Sequence, residues 1–155
     1  MLRSGKIIIE TVKQEHTPMK IYYSCSVSGG RQDLDIFAGM IQFFKEMGHT
    51  VPTEYLGRED LLSLLEPMSD QEVFEQDVCW LKDSDMVVAE VSTPSHGVGY
   101  EIALALVMNK PVLCLYKAGV NVSKMISGNT HPNFAIKPYA DMAEAKEIIT
   151  SIINS

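Results

Sequence analysis

Short apolar runs alternate with stretches of helical periodicity along most of the chain, and this alternation limits the fold more than any other feature. The runs lie at residues 21–26, 86–91, 111–116 and 134–139. Those at 86–91 and 111–116 are almost continuously hydrophobic, which is typical of strands buried on both faces of a parallel sheet. A weaker candidate strand at 50–55 contains Pro52, which cannot donate to a strand ladder.

The segments between these runs carry apolar residues at helical spacing. The predicted helices lie at 33–48, 100–109 and 142–153, and a fourth at 69–83 begins with a Ser69–Glu72 capping box. Shorter helical turns are expected within 58–68 and 122–127. Strands that alternate with helices predict an α/β fold. We expect a Rossmann-like (flavodoxin-like), doubly wound parallel sheet of about five strands with helices on both faces.

The length of 155 residues suits one domain. The regular pattern begins at Met19, so residues 19–155 are predicted to form that domain. Residues 1–18 are expected to be an N-terminal extension, which is either a flexible arm, an edge strand or an artificial addition.

The net charge is −7, from 13 Lys and Arg against 20 Asp and Glu. A protein that binds a nucleic acid polymer over its whole surface needs the opposite sign. An acidic protein can still bind a small anion in a local pocket. The charge therefore excludes a nucleic acid polymer as partner, whereas a small phosphorylated ligand stays possible.

The cysteines are widely spaced, odd in number and without a CxxC pair: Cys25, Cys79 and Cys114. This spacing disfavours a disulfide framework and a structural zinc site. A reducing compartment is expected, cytoplasmic or also nuclear. No apolar run approaches the roughly 20 residues of a membrane span, so no membrane partner is expected.

Two loops that follow predicted strands have the composition of anion sites. In such a sheet, ligands bind beyond the carboxyl ends of the strands. The first loop offers hydroxyls, unhindered amides and a guanidinium from Ser26, Ser28, Gly29, Gly30 and Arg31. The second, at 92–99, offers Ser95 and Gly97 ahead of a helix. Helix N-termini of this kind bind phosphate, but two ordinary strand-to-helix turns would look the same.

Two carboxylates lie on apolar helical stripes. The neighbours of Asp77 three and four positions away are Val73, Phe74, Trp80 and Leu81, and those of Glu101 are Gly97, Val98, Leu104 and Ala105. Burial should raise the pKa of Asp77, whereas a first-turn position should favour the ionised form of Glu101. Such a pair suits an acid together with a nucleophile. The alternatives are a structural Asp and a capping Glu, and Glu90 and Asp85 are weaker catalytic candidates.

Tyr22 and Tyr23 alternate on the first strand, so their side chains lie on opposite faces of the sheet. One is expected in the core, and the other can reach the carboxyl end and hydrogen-bond a carboxylate. His96 is expected to be an exposed spectator.

Three segments carry a specific resemblance: YYSCSVSGGR at 22–31, EQDVCWL at 75–81 and VVAEVSTPSHGVGYE at 87–101. They resemble the 2′-deoxynucleoside 5′-phosphate N-hydrolases of the nucleoside 2-deoxyribosyltransferase superfamily. The resemblance extends from about 19 to 139. It implies cleavage of the N-glycosidic bond of a nucleoside 5′-monophosphate to free base and a sugar 5-phosphate, without metal or cofactor.

The resemblance also implies roles for individual residues. Glu101 matches the nucleophile, Asp77 the acid that assists departure of the base, and Tyr22 the tyrosine that orients the nucleophile. The phosphate ligands are matched by Ser95, Gly97 and the loop at 26–31. A further phosphate ligand, Ser123, is implied to come from the second subunit of a homodimer.

This chain departs from the family pattern at three positions. Cys25 replaces a frequent Gly, Ser28 replaces an Arg, and Tyr55 stands where a His lines the base pocket. Three alternative functions stay open: a deoxyribosyltransferase acting on nucleosides, a hydrolase of ribonucleotides such as CMP, and a non-catalytic nucleotide sensor.

Overall fold

A computed structural model describes residues 17–155, so the predicted extension at 1–18 lies outside the described residues except for its last two. The strands are β1 (Ile21–Ser24), β2 (Met86–Glu90), β3 (Val112–Lys117) and β4 (Phe134–Tyr139). The helices are α1 (Leu34–Glu46), α2 (Leu61–Leu65), α3 (Asp70–Asp83), α4 (His96–Val107), α5 (Lys124–Ser127) and α6 (Met142–Ile153), and a 3-10 turn spans Glu54–Gly57.

The four strands form one parallel sheet in the order β1-β2-β3-β4. In the register, Tyr22 pairs with Val87, Val87 with Val112, and Val112 with Phe134. Every residue of β1 and β2 is buried, as the apolar runs predict. The carboxyl ends of all four strands therefore lie along one edge of the sheet.

The predicted fifth strand at 50–55 is wrong, and the sheet has four strands within residues 17–155. The backbone of this segment forms an isolated bridge between Lys20 and Thr50 at the edge of β1, and no strand. Next to it, the Thr53 hydroxyl donates to the Tyr23 carbonyl at 2.7 Å and accepts from the Tyr23 amide at 3.1 Å. A side chain thus satisfies the backbone of β1 where a strand would, and Pro52 offers no amide to extend the ladder. With this segment beside β1, the chain follows the flavodoxin-like winding, so the predicted fold class is confirmed.

Helices cover both faces of the sheet. On one face, Tyr23, Val88 and Leu113 pack with residues of α1 and α6: Phe37, Met40, Ile41, Phe44, Ala145 and Ile149. On the other, Tyr22, Val87 and Cys114 pack with residues of α3 and α4: Leu81, Val98, Ile102, Ala105 and Leu106. Burying these side chains contributes roughly 1.5–3 kcal/mol each for the larger ones. The alternation of β1 therefore places Tyr22 on the α3–α4 face.

Helix α4 begins earlier than the predicted 100–109. Ser95 is its N-cap, and the Ser95 hydroxyl accepts a hydrogen bond from the Val98 amide. This cap starts the helix at His96 although Gly97 and Gly99 lower the helix propensity of the first turn. Glu101 consequently lies in the second turn of α4, and the first turn contains no acidic residue. The capping box predicted for α3 is confirmed.

Candidate active site

The two loops that sequence analysis singled out meet at the carboxyl edge of β1 and β2. The side-chain amide of Gln32, directly after the first loop, donates to the hydroxyl of Thr93 in the second loop at 3.0 Å. A side chain at Gly29 would collide with the Pro94 carbonyl, so only glycine permits this approach. The contact lies where the winding of the sheet reverses direction, which is the usual ligand position in such folds.

Glu101 is held by two hydroxyl groups from β1. The Tyr22 hydroxyl donates to Glu101 Oε1 at 2.7 Å, and the Ser24 hydroxyl donates to Oε2. Residues two apart on a strand share a face, so one strand supplies both donors. Tyr23 lies on the other face, where its hydroxyl contacts the Met40 sulfur at 3.3 Å.

Asp77 faces the same cleft from α3. The Tyr55 hydroxyl donates to Asp77 Oδ1 at 3.0 Å, and the Tyr55 ring packs against Trp80 with a centroid distance of 5.7 Å. The cleft between α3 and α4 has a volume of about 400 Å³ and contains both carboxylates. Its other lining residues are largely apolar: Phe74, Val78, Leu81, His96, Gly97, Tyr100 and Leu104.

Burial raises the pKa of both carboxylic acids. For Asp77 the hydrogen bond from Tyr55 offsets part of this rise. For Glu101, the hydrogen bonds from Ser24 and Tyr22 work against the burial, whereas the negative charge of Asp77 adds to it. The prediction that Glu101 lies in the first turn is wrong. A second-turn carboxylate gains less from the helix dipole, and burial outweighs that gain.

The loop at 26–31 divides into a buried and an exposed part. Ser26 is fully buried, and its hydroxyl has no hydrogen-bond partner within residues 17–155. Ser28 and Gly29 are exposed, and Gly30 has a φ of 133°, which favours glycine. An unpartnered buried hydroxyl beside accessible amides leaves donors for a ligand.

Arg31 is engaged by backbone carbonyls. Its Nη2 donates to the carbonyls of Leu56 at 2.7 Å and Arg58 at 3.0 Å, and its guanidinium lies 5.9 Å from the centre of the Phe37 ring. Arg31 therefore connects the phosphate-type loop to the segment that carries Tyr55. Its Nη1 is buried without a partner among the described residues.

Ser95 and Gly97 begin α4, and Ser123 caps α5 through a 3.3 Å hydrogen bond from the Met125 amide. Ser95 and Ser123 line a second cleft of about 420 Å³, between α4 and α5. Met125 at its rim is 83% exposed. The structure thus brings Ser123 to the same side of the molecule as Ser95.

The two competing acids lie elsewhere. Glu90 is on the opposite face of the sheet, where it accepts from the Tyr139 hydroxyl at 2.9 Å and from the amide and hydroxyl of Ser92. Asp85 is at the other end of β2 and accepts from the Lys20 amide at 2.7 Å. Neither faces the cleft with Asp77. Among residues 17–155, no group of three or more His, Cys, Asp and Glu is placed to hold a metal ion.

Sequence analysis did not find Ser24, or the contact between Tyr55 and Asp77. The alternation of β1 was the available signal for Ser24, since it puts positions 22 and 24 on one face. No sequence spacing relates Tyr55 to Asp77, because a loop and a short helix separate them.

The fold and the site define an α/β protein with a ligand cleft at the reversal point of a parallel sheet, containing two half-buried carboxylates. Residues 21–136 match the family model described as nucleoside 2-deoxyribosyltransferase, and the chain belongs to this family. The resemblance expected from the three segments is thereby confirmed.

Curated relatives agree with this assignment, and a solved structure shares the fold. A putative 2′-deoxynucleoside 5′-phosphate N-hydrolase 1 of Methanosarcina barkeri is 39% identical over 142 residues, covering 92% of this chain and 89% of the relative. The 5-hydroxymethyl-dUMP N-hydrolase of Tetraodon nigroviridis is 40% identical over 126 residues, covering 78% and 88%. A CMP N-glycosidase structure from Clostridium botulinum shares the fold, with a TM-score of 0.63, 20% identity and coverage of 84% and 98%.

No helix within residues 17–155 is both long and apolar enough to cross a membrane.

Proposed function

We propose that this protein hydrolyses the N-glycosidic bond of nucleoside 5′-monophosphates, 2′-deoxynucleotides among them, to free base and (deoxy)ribose 5-phosphate. The observation that carries the proposal is the pair Asp77 and Glu101, which share one cleft. The two candidate anion-binding loops, at 26–31 and 92–99, meet beside this cleft. The names of the relatives support the same reaction. The activity is assigned to the predicted domain at 19–155.

Glu101 acts as the nucleophile in this proposal. A carboxylate oxygen of Glu101 bonds to C1′ while the bond between C1′ and the base nitrogen breaks, with its electron pair leaving on the base. The transition state resembles an oxocarbenium ion, as in glycoside hydrolysis with two carboxylates. Tyr22 orients the Glu101 carboxylate through the 2.7 Å hydrogen bond.

Asp77 acts first as acid and then as base. Its raised pKa favours the protonated form, which gives its proton to the departing base. Water then attacks C1′, Asp77 accepts a proton from that water, and Glu101 is released. General acid assistance of this kind is worth on the order of 10²–10⁴-fold.

Tyr55 belongs to the base pocket in this proposal. It donates to Asp77 and packs on Trp80, so it fixes the acid and forms a wall of the cleft. The pair of Phe74 and Tyr100, whose ring centres are 6.1 Å apart with the planes tilted by 59°, supplies apolar surface for a planar base.

The 5′-phosphate binds where the two loops meet, in the proposal. The ligands are Ser26, Ser28, Gly29 and Gly30 of the first loop, with Ser95 and Gly97 at the start of α4. Amides at a helix N-terminus and a hydroxyl without a protein partner suit an anion. Arg31 contributes through Nη1 while its Nη2 stays on the two carbonyls.

A homodimer completes the phosphate site in the proposal, with Ser123 of the second copy as a ligand. The exposed Met125 and the largely apolar cleft between α4 and α5 support a contact at this surface. A protein that stays monomeric at assay concentration by sedimentation contradicts this part.

The three free cysteines support a reducing location, cytoplasmic or nuclear.

The test is a panel of ribo- and deoxyribonucleoside 5′-monophosphates with the matching nucleosides, assayed for released base by chromatography. We expect release from monophosphates and much slower release from nucleosides. Thermal stabilisation by a monophosphate without any base release would contradict the proposal and favour a nucleotide sensor.

A deoxyribosyltransferase is the second candidate, because the matching family model has that description. It predicts equal rates for a nucleoside and its monophosphate, and transfer of the sugar to an added base. The same chromatograms separate the two functions when a second base is included in the reaction.

A further inference from the structure

Ser24 is the last residue of β1 and has no role in the reaction so far described. Its side chain is 0% exposed, and its hydroxyl donates to Glu101 Oε2. Tyr22 donates to the other oxygen, Oε1. Each oxygen of the Glu101 carboxylate therefore has its own hydroxyl donor, and both donors come from one rigid strand.

The backbone around Ser24 leaves its hydroxyl little freedom. Ser24 pairs with Ala89 of β2 inside the parallel sheet, and its neighbour Tyr23 is held by Thr53 on the other edge. A hydroxyl group buried this completely cannot turn to water, and leaving it unpaired would destabilise the fold. The hydrogen bond to Glu101 is therefore a built contact of the resting protein.

Glu101 receives no compensating positive charge within residues 17–155. None of the ion pairs in this part of the chain includes Glu101. Burial raises its pKa, and the negative charge of Asp77 raises it further. Hydroxyl donors are what remains to hold this carboxylate in its ionised form.

We propose that Ser24 is a positioning residue which, together with Tyr22, fixes the plane of the Glu101 carboxylate before a substrate binds. The assignment rests on the proposed role of Glu101 as nucleophile. Tyr22 alone would leave the carboxylate free to rotate about its bond to the side chain. The second donor removes that rotation, so that an oxygen of Glu101 meets C1′ in a reactive geometry.

The test compares Ser24→Ala, which removes the donor, with Ser24→Cys, which keeps a weaker one. Two quantities are measured: the pH profile of kcat/KM, and the titration of the Glu101 carboxyl by carbon-13 NMR, assigned with Glu101→Gln. A donor to the ionised form lowers the pKa, so its removal must raise it. For Ser24→Ala we expect the Glu101 titration and the acid limb of the profile to move up by about one to two pH units.

We expect Ser24→Cys to fall between wild type and Ser24→Ala in both measurements. The matched control is Ser26→Ala, which removes another fully buried hydroxyl, two residues beyond the end of β1. Since that hydroxyl has no partner among the described residues, its loss should leave the Glu101 titration unchanged and raise KM for monophosphates. Thermal unfolding of all variants checks that they are folded.

An unchanged Glu101 titration and acid limb in a folded Ser24→Ala protein overturns the proposal. So does a change of equal size in Ser26→Ala, since it would show a general disturbance of the loop. If wild-type protein releases no base from any nucleotide, the proposed function fails, and the NMR titration still decides whether Ser24 holds Glu101.

Discussion

Two glutamates on opposite faces of the sheet, Glu90 buried and Glu101 half-buried, have nearly the same donors and different surroundings. Glu101 accepts from Tyr22 and Ser24, and Glu90 accepts from Tyr139 and Ser92. Burial raises the pKa of each. A tyrosine and a serine around a carboxylate are therefore not in themselves a sign of catalysis.

Access to a cleft distinguishes the two sites. Glu101 opens into the cleft that also contains Asp77, whereas Glu90 is 0% exposed. The Ser92 hydroxyl that donates to Glu90 also accepts from the Lys117 amide at 2.8 Å, and the Lys117 side chain pairs with Asp33. Glu90 thus connects the end of β2 to its neighbours, and its contribution belongs to stability.

The largest effect is expected on the Glu101 side. Glu101→Gln keeps the shape and one of the two acceptor oxygens, but it removes the carboxylate oxygen that would attack C1′. Initial rates of base release should fall by at least about 10³-fold, as when other catalytic nucleophiles are removed. Calorimetric titration with a monophosphate should still detect binding, and a variant with near-normal turnover would refute the assignment.

The second effect concerns the acid. Asp77→Asn cannot give a proton to the departing base, so kcat should fall by about 10²–10⁴-fold. The loss should shrink for substrates whose base departs without protonation. Measuring both substrate types with the same variant checks the role, and an equal loss for both would contradict it.

The third effect belongs to Glu90 and tests the other side of the comparison. Glu90→Gln should lower the free energy of unfolding by about 1–3 kcal/mol, while kcat is retained. Glutamine accepts at only one of the two positions, so a buried donor of Ser92 or Tyr139 loses its acceptor. The pKa of Glu90 is raised above its usual value of 4.5. Its stabilising contribution is therefore full below that value and is lost as the pH rises through the raised pKa.

Denaturant unfolding over a pH series measures whether the stabilising contribution of Glu90 falls or rises with pH. As the pH falls towards 4.5, wild type should gain stability relative to Glu90→Gln. A difference between the two proteins that grows with rising pH would show that the pKa of Glu90 is lowered by folding.

The smallest effect is expected from Tyr55→Phe. The hydrogen bond from Tyr55 lowers the pKa of Asp77, so its loss should raise that pKa and move the alkaline limb of the kcat/KM profile to higher pH. We expect a rate change of no more than roughly tenfold at neutral pH. An alkaline limb that stays in place would mean that Asp77 is not the acid.

The strands and the long helices could be predicted because periodicity is local. The candidate strand at 50–55 failed because the Thr53 side chain takes the ladder contacts, which no propensity encodes. The start of α4 failed because a single cap at Ser95 outweighed two glycines. Each error comes from one side-chain contact with the backbone.

The site was predictable in part for the same reason. The apolar stripes around Asp77 and Glu101 are a local pattern, and they indicated burial correctly. The partners of these acids are 22 and 79 positions away for Tyr55 and Tyr22, so only the folded chain brings them together. The contacts of Arg31 could not be predicted, because its two carbonyl acceptors lie on a segment without a clear sequence pattern.

Base release from one nucleoside 5′-monophosphate by wild type, Glu101→Gln and Glu90→Gln, assayed side by side, tests the central claim most directly. The account predicts release by wild type and, per folded molecule, by Glu90→Gln, with none above background from Glu101→Gln. Two results would contradict the account. One is base release by Glu101→Gln at the wild-type rate, and the other is a folded Glu90→Gln protein that releases no base while Glu101→Gln still does.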